Sequence, residues 1–181
     1  MAADKLDSPS AERNKEPFWN LVVAQHLLTD IHQSKPSDKI EFRVLDIAAG
    51  CGVHTQFFAQ RLAKEQVSVT WQSTDPEASA ISSQEAYIAE ISIASLDGNT
   101  EGKDVEGFAA CGSVRFARPQ LLTLDADGIS EPSTNAAIPP ASVDWMWNIN
   151  MIHISPWSAT LGLMKVAGEK LKPDVGRLIL Y

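Results

Sequence analysis

Polar and small residues group in several places along the chain in patterns that could handle a ligand. The first runs Val44-Leu45-Asp46-Ile47-Ala48-Ala49-Gly50-Cys51-Gly52. Small residues there let the backbone approach a ligand closely, and a helix starting after Gly52 offers N–H groups with no partner inside the helix. A dinucleotide fingerprint of the form G-x-G-x-x-G accepts Gly50 and Gly52 but not Thr55 at its third position. The second place is Asp75, expected at the end of the following strand, where a carboxylate can accept hydrogen bonds from both hydroxyls of a ribose. Pro76 follows it, so a plain helix cap is the competing role. The third is Asp125, which could accept from an adenine amino group or simply be a solvated loop aspartate. The fourth is the run from Asn148 to Trp157, in which Asn150 and His153 are the polar groups placed to face a reacting acceptor. His153 reads equally well as a packed histidine and as a base titrating near neutral pH. Cys51 and His54 have C-x-x-H spacing, but no further cysteine or histidine lies nearby to complete a zinc site. No metal is therefore expected.

The elements that must carry these residues alternate in type. A helix is expected from about Glu16 to His32, with Asn14 as cap, Pro17 in the first turn and Phe18, Leu21, Val22, Leu28 and Ile31 mostly on one face. Ser34 to Lys39 reads as a linker. Glu41 to Ala48 reads as a buried strand, Val53 to Lys64 as a helix and Val67 to Ser73 as a second strand. Pro76 opens a helix reaching about Leu96. Asp97 to Ser113 and Ala126 to Ala141 read as loops, flanking a strand in Val114 to Leu124 that Pro119 interrupts. Val143 to Ile149 is the next strand, and Ser155 caps a helix starting at Pro156 and ending near Leu171. Lys172 to Gly176 turns into a last strand, Arg177 to Tyr181. The five tryptophans, including Trp145 and Trp147 on one strand, are expected in the core. Alternating strands and helices specify an α/β fold, a mostly parallel sheet with helices on both faces. Ligands in such sheets bind beyond the strand C-termini, where all the groups above converge.

Composition narrows the partners. Asp and Glu number 23 against 15 Lys and Arg, a net charge of −8, with no long basic cluster to offset it. Such a chain lacks the electrostatic term behind most nucleic-acid affinity and behind attraction to anionic membranes, so neither partner is expected. Two cysteines and a polar N-terminus without an apolar core point to the cytoplasm. Residues 1–12 are expected to be a flexible tail ahead of one domain spanning 13–181.

Asp46 ahead of the glycines resembles the first motif of class I methyltransferases, with Ala48 where a further glycine is usual. Taken with Ala11-Glu12-Arg13-Asn14-Lys15-Glu16-Pro17, Trp71-Gln72-Ser73-Thr74-Asp75, Leu124-Asp125, Ile149 to Pro156, Leu171-Lys172-Pro173 and Tyr181, the chain resembles the methyltransferase-like 26 family from about Ser8 to its last residue. The resemblance implies a Rossmann-like class I methyltransferase sheet that lacks the C-terminal hairpin, S-adenosyl-L-methionine as cofactor and a small-molecule acceptor. It implies cofactor contacts from Asp46, Ala48, Gly50, Gly52, Asp75, Asp125 and Asn150. It also implies that Arg13 and Asn14 fold back over the cofactor pocket, with Arg13 near the cofactor carboxylate; alone, Arg13 reads as a solvated residue at a helix start. The alternative is a non-catalytic, cofactor-binding protein that keeps the fold. An NAD-linked oxidoreductase is disfavoured by Thr55. Family chains continue past the tyrosine at which this sequence stops, so the strand from Arg177 is expected to carry an unpaired edge.

Overall fold

A computed structural model describes residues 4–33, 41–94 and 109–181. The expected linker after Ser34, the end of the helix near Leu96 and most of the loop from Asp97 lie outside the described residues. Helix α1 covers Pro9–Phe18 and runs through a nine-residue π-helical stretch, Trp19–Leu27, into α2, Leu28–Gln33. Its start differs from the expected one. Ser8, not Asn14, is the N-cap and accepts from the Ala11 N–H, and Pro9 takes the first helical position, where its missing N–H costs nothing. Pro17 then lies inside α1, just ahead of the π stretch, and withdraws one donor there. The segment before Pro9 is tied down as well. The Leu6 N–H donates to Ser83 Oγ at 2.9 Å, and Tyr87 Oη donates to the Leu6 carbonyl at 3.2 Å.

The chain continues through β1 (Phe42–Ile47), α3 (Val53–Lys64), β2 (Val69–Asp75), α4 (Ala78–Ala94), β3 (Ala109–Cys111), β4 (Val114–Phe116) and β5 (Gln120–Leu121). A short hairpin of β6 (Leu124–Asp125) and β7 (Gly128–Ile129) follows, then α5 (Pro132–Ala137), β8 (Trp145–Asn148), α6 (Trp157–Lys170) and β9 (Arg177–Leu180). The main sheet has the order β3-β4-β2-β1-β8-β9, with β5 extending it beside β2. Every pairing in it is parallel except β3 with β4. The mostly parallel α/β fold is as expected. Two stretches read as loops contain structure: β3 precedes Ser113, and β7 and α5 occupy part of 126–141. The strand expected over Val114 to Leu124 divides into β4, β5 and the start of β6 around Pro119, which cannot donate to a ladder. Ser155 does not cap α6; Pro156 holds the N-cap position and Ser155 Oγ is buried without a partner.

Alternation along the strands divides the core. Val44, Trp71, Trp145 and Trp147 face the layer of α1, the π stretch, α3 and α4, meeting Phe18, Phe58, Leu62 and Ile91. The Trp71 and Trp147 rings meet edge to face, 4.8 Å between centroids. Leu45, Ile47 and Met146 face the other way, onto Leu163, Val166 and Ala167 of α6. Trp19, Trp71, Trp145 and Trp147 are thus core residues, whereas Trp157, at the start of α6, is 69% exposed. At the N-terminal ends of the central strands, Asp144 accepts from Lys172 Nζ at 2.7 Å and from the Arg43 N–H at 2.9 Å, locking β8 to β1. Strand β9 pairs with β8 alone among the described residues, and a groove of about 520 Å³ separates it from the π stretch. No helix among the described residues is long and apolar enough to cross a membrane.

Candidate functional site

The turn from β1 to α3 passes three times through the left-handed region, at Ala48 (φ 56°), Gly50 (φ 64°) and Gly52 (φ 107°). It is pinned from two sides. The Ala49 N–H donates to the Thr74 carbonyl and the Gly50 N–H to Asp75 Oδ2, each at 2.9 Å. From α4, Gln84 Nε2 donates to the Gly50 carbonyl at 2.7 Å and Ser83 Oγ to the Cys51 carbonyl at 2.8 Å. The two glycines have different surroundings. A Cβ on Gly50 would meet nothing within 4 Å, whereas one on Gly52 would come within 3.1 Å of the Gln84 backbone and 3.2 Å of the Tyr87 ring. Gly50 therefore opens the turn to a ligand, and Gly52 lets α3 pack against α4.

A cavity of about 580 Å³ opens beyond the C-terminal ends of β1, β2 and β8. Ala48, Gly50 and Asp75 form one wall, Ile149, Asn150 and Met151 the facing one, and Ser8, Ser10 and Ala11 contribute from the start of α1. A second chamber, about 500 Å³, shares Ser10, Asn150 and Ile154 with the first and adds Arg13, Asn14, His153 and Tyr181. Ser10, Arg13 and Asn14 reach it together because positions i, i+3 and i+4 share a helix face. With the Asn14 amide turned to satisfy both its ends, its Oδ1 accepts from Asn150 Nδ2 at 2.9 Å, forming a bridge between α1 and the β8 loop. Asn150 itself is held at φ 66°, its N–H donating to the Tyr181 carbonyl at 2.8 Å.

Burial sets the charges around the main cavity. Asp75 is buried, which raises its carboxyl above the usual carboxylate range, while the N–H groups of Glu77 and Gly50 pull the other way. Each Asp75 oxygen accepts one backbone N–H, Oδ1 from Glu77 at 3.0 Å and Oδ2 from Gly50. A carboxylate has about four lone-pair sites, so two further donors can be accommodated. The cap role and a ligand role are compatible. Asp46 is 2% exposed, and burial pushes its carboxyl up to about 7, with Asp75 adding to the rise and a hydrogen bond from Thr55 opposing it. Thr55, the residue at the third fingerprint position, donates its hydroxyl to Asp46 Oδ2 at 3.4 Å. His54 lines the cavity with its ring stacked on Phe58, 5.4 Å between centroids. Burial, with the nearby Lys15 charge, lowers His54 to about 4, so it is neutral at neutral pH.

The structure separates the nominated residues into groups. Ala48, Gly50, Asp75 and Asn150 line the main cavity. Arg13, Asn14 and His153 line the second chamber, Asn150 being common to both. Asp46 and Gly52 stand behind the turn and shape it. Asp125 is not in either wall. It is exposed in the β6–β7 hairpin, and its oxygens accept from the Asp127 N–H and from Ser130 Oγ, both at 2.7 Å. The hairpin packs on α6 and its turn uses the Asp125 carboxylate, so the structure places Asp125 apart from the other nominated residues. Ser8, Ser10, Ala11, His54 and Ser155 line the main cavity without having been singled out as ligand-facing. A signal for the first of these existed, since Ser8-Pro9 is a helix-start dipeptide that places α1 over the cavity.

The family described as protein of unknown function (DUF938) matches residues 5–181. Among solved structures, the carbon-methyltransferase domain of citrinin polyketide synthase superposes with a TM-score of 0.57 at 16% identity, covering 96% of this chain and 39% of that one. The DszA carbon methyltransferase gives 0.58 at 16% identity, over 97% of this chain and 36% of that one. The glycopeptide N-methyltransferase MtfA, solved with sinefungin, gives 0.51 at 15%, over 98% and 51%. The likeness is one of fold, a Rossmann-like methyltransferase fold, and this chain spans only about two-fifths of the length of the first two.

Proposed function

The chain belongs to the DUF938 family, and from that premise we propose that it is an S-adenosylmethionine-dependent methyltransferase acting on a small molecule. The observation that carries the reading is convergence: the Gly50 turn, the Asp75 carboxyl and the Asn150 loop meet in one cavity beyond the strand ends. That cavity fits the cofactor on two counts. The open space over Gly50 is where a side chain would block close approach, and Asp75 has acceptor capacity left for two ribose hydroxyls. Gly50 and Ala48 would take the amino-acid end, Asp75 the ribose, and Pro76 and Glu77, next along the wall, the base. When bound, S-adenosylmethionine supplies a methyl on a sulfonium, which moves to a nucleophile's lone pair while the bonding electrons stay on sulfur. The chain's remaining task is alignment and exclusion of water. Asn150 lines the methyl side, and His153 receives a proton where the acceptor must lose one.

The likeness to the methyltransferase-like 26 family and a cytoplasmic setting belong to this proposal. The test is isothermal titration with S-adenosylhomocysteine, S-adenosylmethionine and NAD, followed by turnover of labelled cofactor with a metabolite pool. Binding of the sulfur nucleosides with no response to NAD is expected. Tight NAD binding alone overturns the reading, and cofactor binding without turnover favours the non-catalytic alternative.

A further inference from the structure

The second chamber differs from the first in its chemistry. No acidic side chain lines it, and it contains the guanidinium side chain of Arg13. The acidic neighbours of Arg13 on α1 are engaged elsewhere: Glu12 holds Lys15, and Glu16 holds Arg61 Nη2 at 2.7 Å. Arg13 itself makes no ion pair among the described residues. The rest of the lining brings hydrogen-bonding residues: Ser10, the Asn14–Asn150 bridge, His153 and Tyr181. In a chain of net charge −8, a guanidinium with no ion-pair partner among the described residues, in a lining without acidic side chains, favours an anion. A guanidinium also presents a planar fork that matches a carboxylate or phosphate with two parallel hydrogen bonds.

We infer that this chamber is the acceptor pocket, resting on the cofactor reading of its neighbour, and that it takes small molecules carrying a carboxylate or phosphate group. Arg13 anchors the anionic group at the far end. The shared wall of Ser10, Asn150 and Ile154 directs the other end of the acceptor toward the first cavity. With its bridge to Asn14, Asn150 marks the gate between the two spaces, and His153 lies on the acceptor's side of it. This placement assigns Arg13 to the acceptor rather than to the carboxylate of the cofactor.

The experiment uses the 181-residue chain and two probes, inorganic phosphate and malonate, at constant ionic strength. Side-chain amide resonances of Asn14 and Asn150 and the Arg13 Nε signal are followed by NMR, with and without S-adenosylhomocysteine. Saturable shifts of these signals by at least one probe are expected, and the tighter probe identifies phosphate or carboxylate as the preferred group. In Arg13→Gln the anion affinity is expected to fall on the order of tenfold, with Arg13→Lys intermediate. Calorimetry on the same variants is expected to leave the affinity for S-adenosylhomocysteine within about threefold of the parent. Shifts that do not saturate, or that survive unchanged in Arg13→Gln, overturn the proposal. So does a loss of S-adenosylhomocysteine affinity of about tenfold in Arg13→Gln with the anion titration unaltered, which gives Arg13 to the cofactor. Failure of the parent chain to bind S-adenosylhomocysteine at all overturns the cofactor reading instead; the anion titration alone still decides whether the chamber is selective.

Discussion

Ala48 stands in a conformation that alanine tolerates poorly. At φ 56° its Cβ crowds the following carbonyl, a cost of about 1–2 kcal/mol that glycine avoids. Glycine also loses more backbone freedom on folding, so Ala48→Gly is expected to stabilise the protein by only about 0.5–1 kcal/mol, measured by urea unfolding. The two turn glycines should fail in different ways. Gly50→Val adds a side chain in open cavity space and is expected to cut S-adenosylhomocysteine affinity sharply while the fold survives, at a strain cost of about 1–2 kcal/mol. Gly52→Val drives its side chain into α4 at φ 107°, so it is expected to destabilise by about 2–4 kcal/mol and to show first in the thermal melt. From the sequence, both glycines were expected to face the ligand; in the structure Gly50 lines the cavity and Gly52 packs against α4. Asp75→Ala is expected to weaken S-adenosylhomocysteine binding by about 1.5–3 kcal/mol and to lower stability, because two backbone donors lose their acceptor. Asp127→Ala, exposed in the hairpin turn, is expected to do neither. Equal affinities for the two variants would remove Asp75 from the site.

At the scale of elements, the packing of α3 onto β1 buries two ionisable groups whose pH effects oppose each other. Asp46 on β1 rises from 3.8 to about 7 in the folded protein. Between those values the folded state holds a proton the unfolded state has lost, so the contribution of Asp46 is full below pH 3.8 and fades as pH climbs toward 7. His54 on α3 falls from 6.5 to about 4. There the unfolded state holds the extra proton, so stability is full above pH 6.5 and is lost as pH falls toward 4. The two slopes partly cancel in the parent protein. Asp46→Asn removes one, and its stability is expected to rise with pH from 4 to 6.5, more steeply than in the parent. His54→Gln removes the other, and stability is then expected to fall from pH 4 to 7. Urea midpoints across that range are the measurement; parallel profiles for the two variants would show that neither group titrates as its burial requires.

For the whole molecule, the cavity gathers residues from α1, β2, the β1–α3 turn and the loop after β8. A ligand bound there ties those pieces together only in the folded state. S-adenosylhomocysteine at a hundred times its Kd is therefore expected to add about 2.7 kcal/mol. For a domain of this size that raises Tm by about 5–10 °C, and NAD at the same concentration should leave the melt unmoved. A rise with NAD alone would place a dinucleotide, not a sulfur nucleoside, in the cavity.

The alternation of strand and helix, the burial of Trp145 and Trp147, the glycine turn and the strand-end position of Asp75 were legible in the sequence because each depends on local pattern. Apolar runs bounded by turn residues specify parallel strands, and only small residues allow the turn after β1. Which of those residues open onto the cavity was decided by packing. Gly52 has the same freedom as Gly50, but α4 lies against it and leaves Gly50 to open the cavity. Asp125 has the same carboxylate as Asp75 at a strand end, but its strand curls into a hairpin on α6 and lines neither cavity. The role of α1 was the least legible. Its cap is Ser8 and its Pro17 is internal, and nothing in its periodicity says that its first turns close over strand ends far along the chain. That closure places Ser10, Arg13 and Asn14 opposite Asn150; it is a long-range contact, and only the tertiary structure contains it.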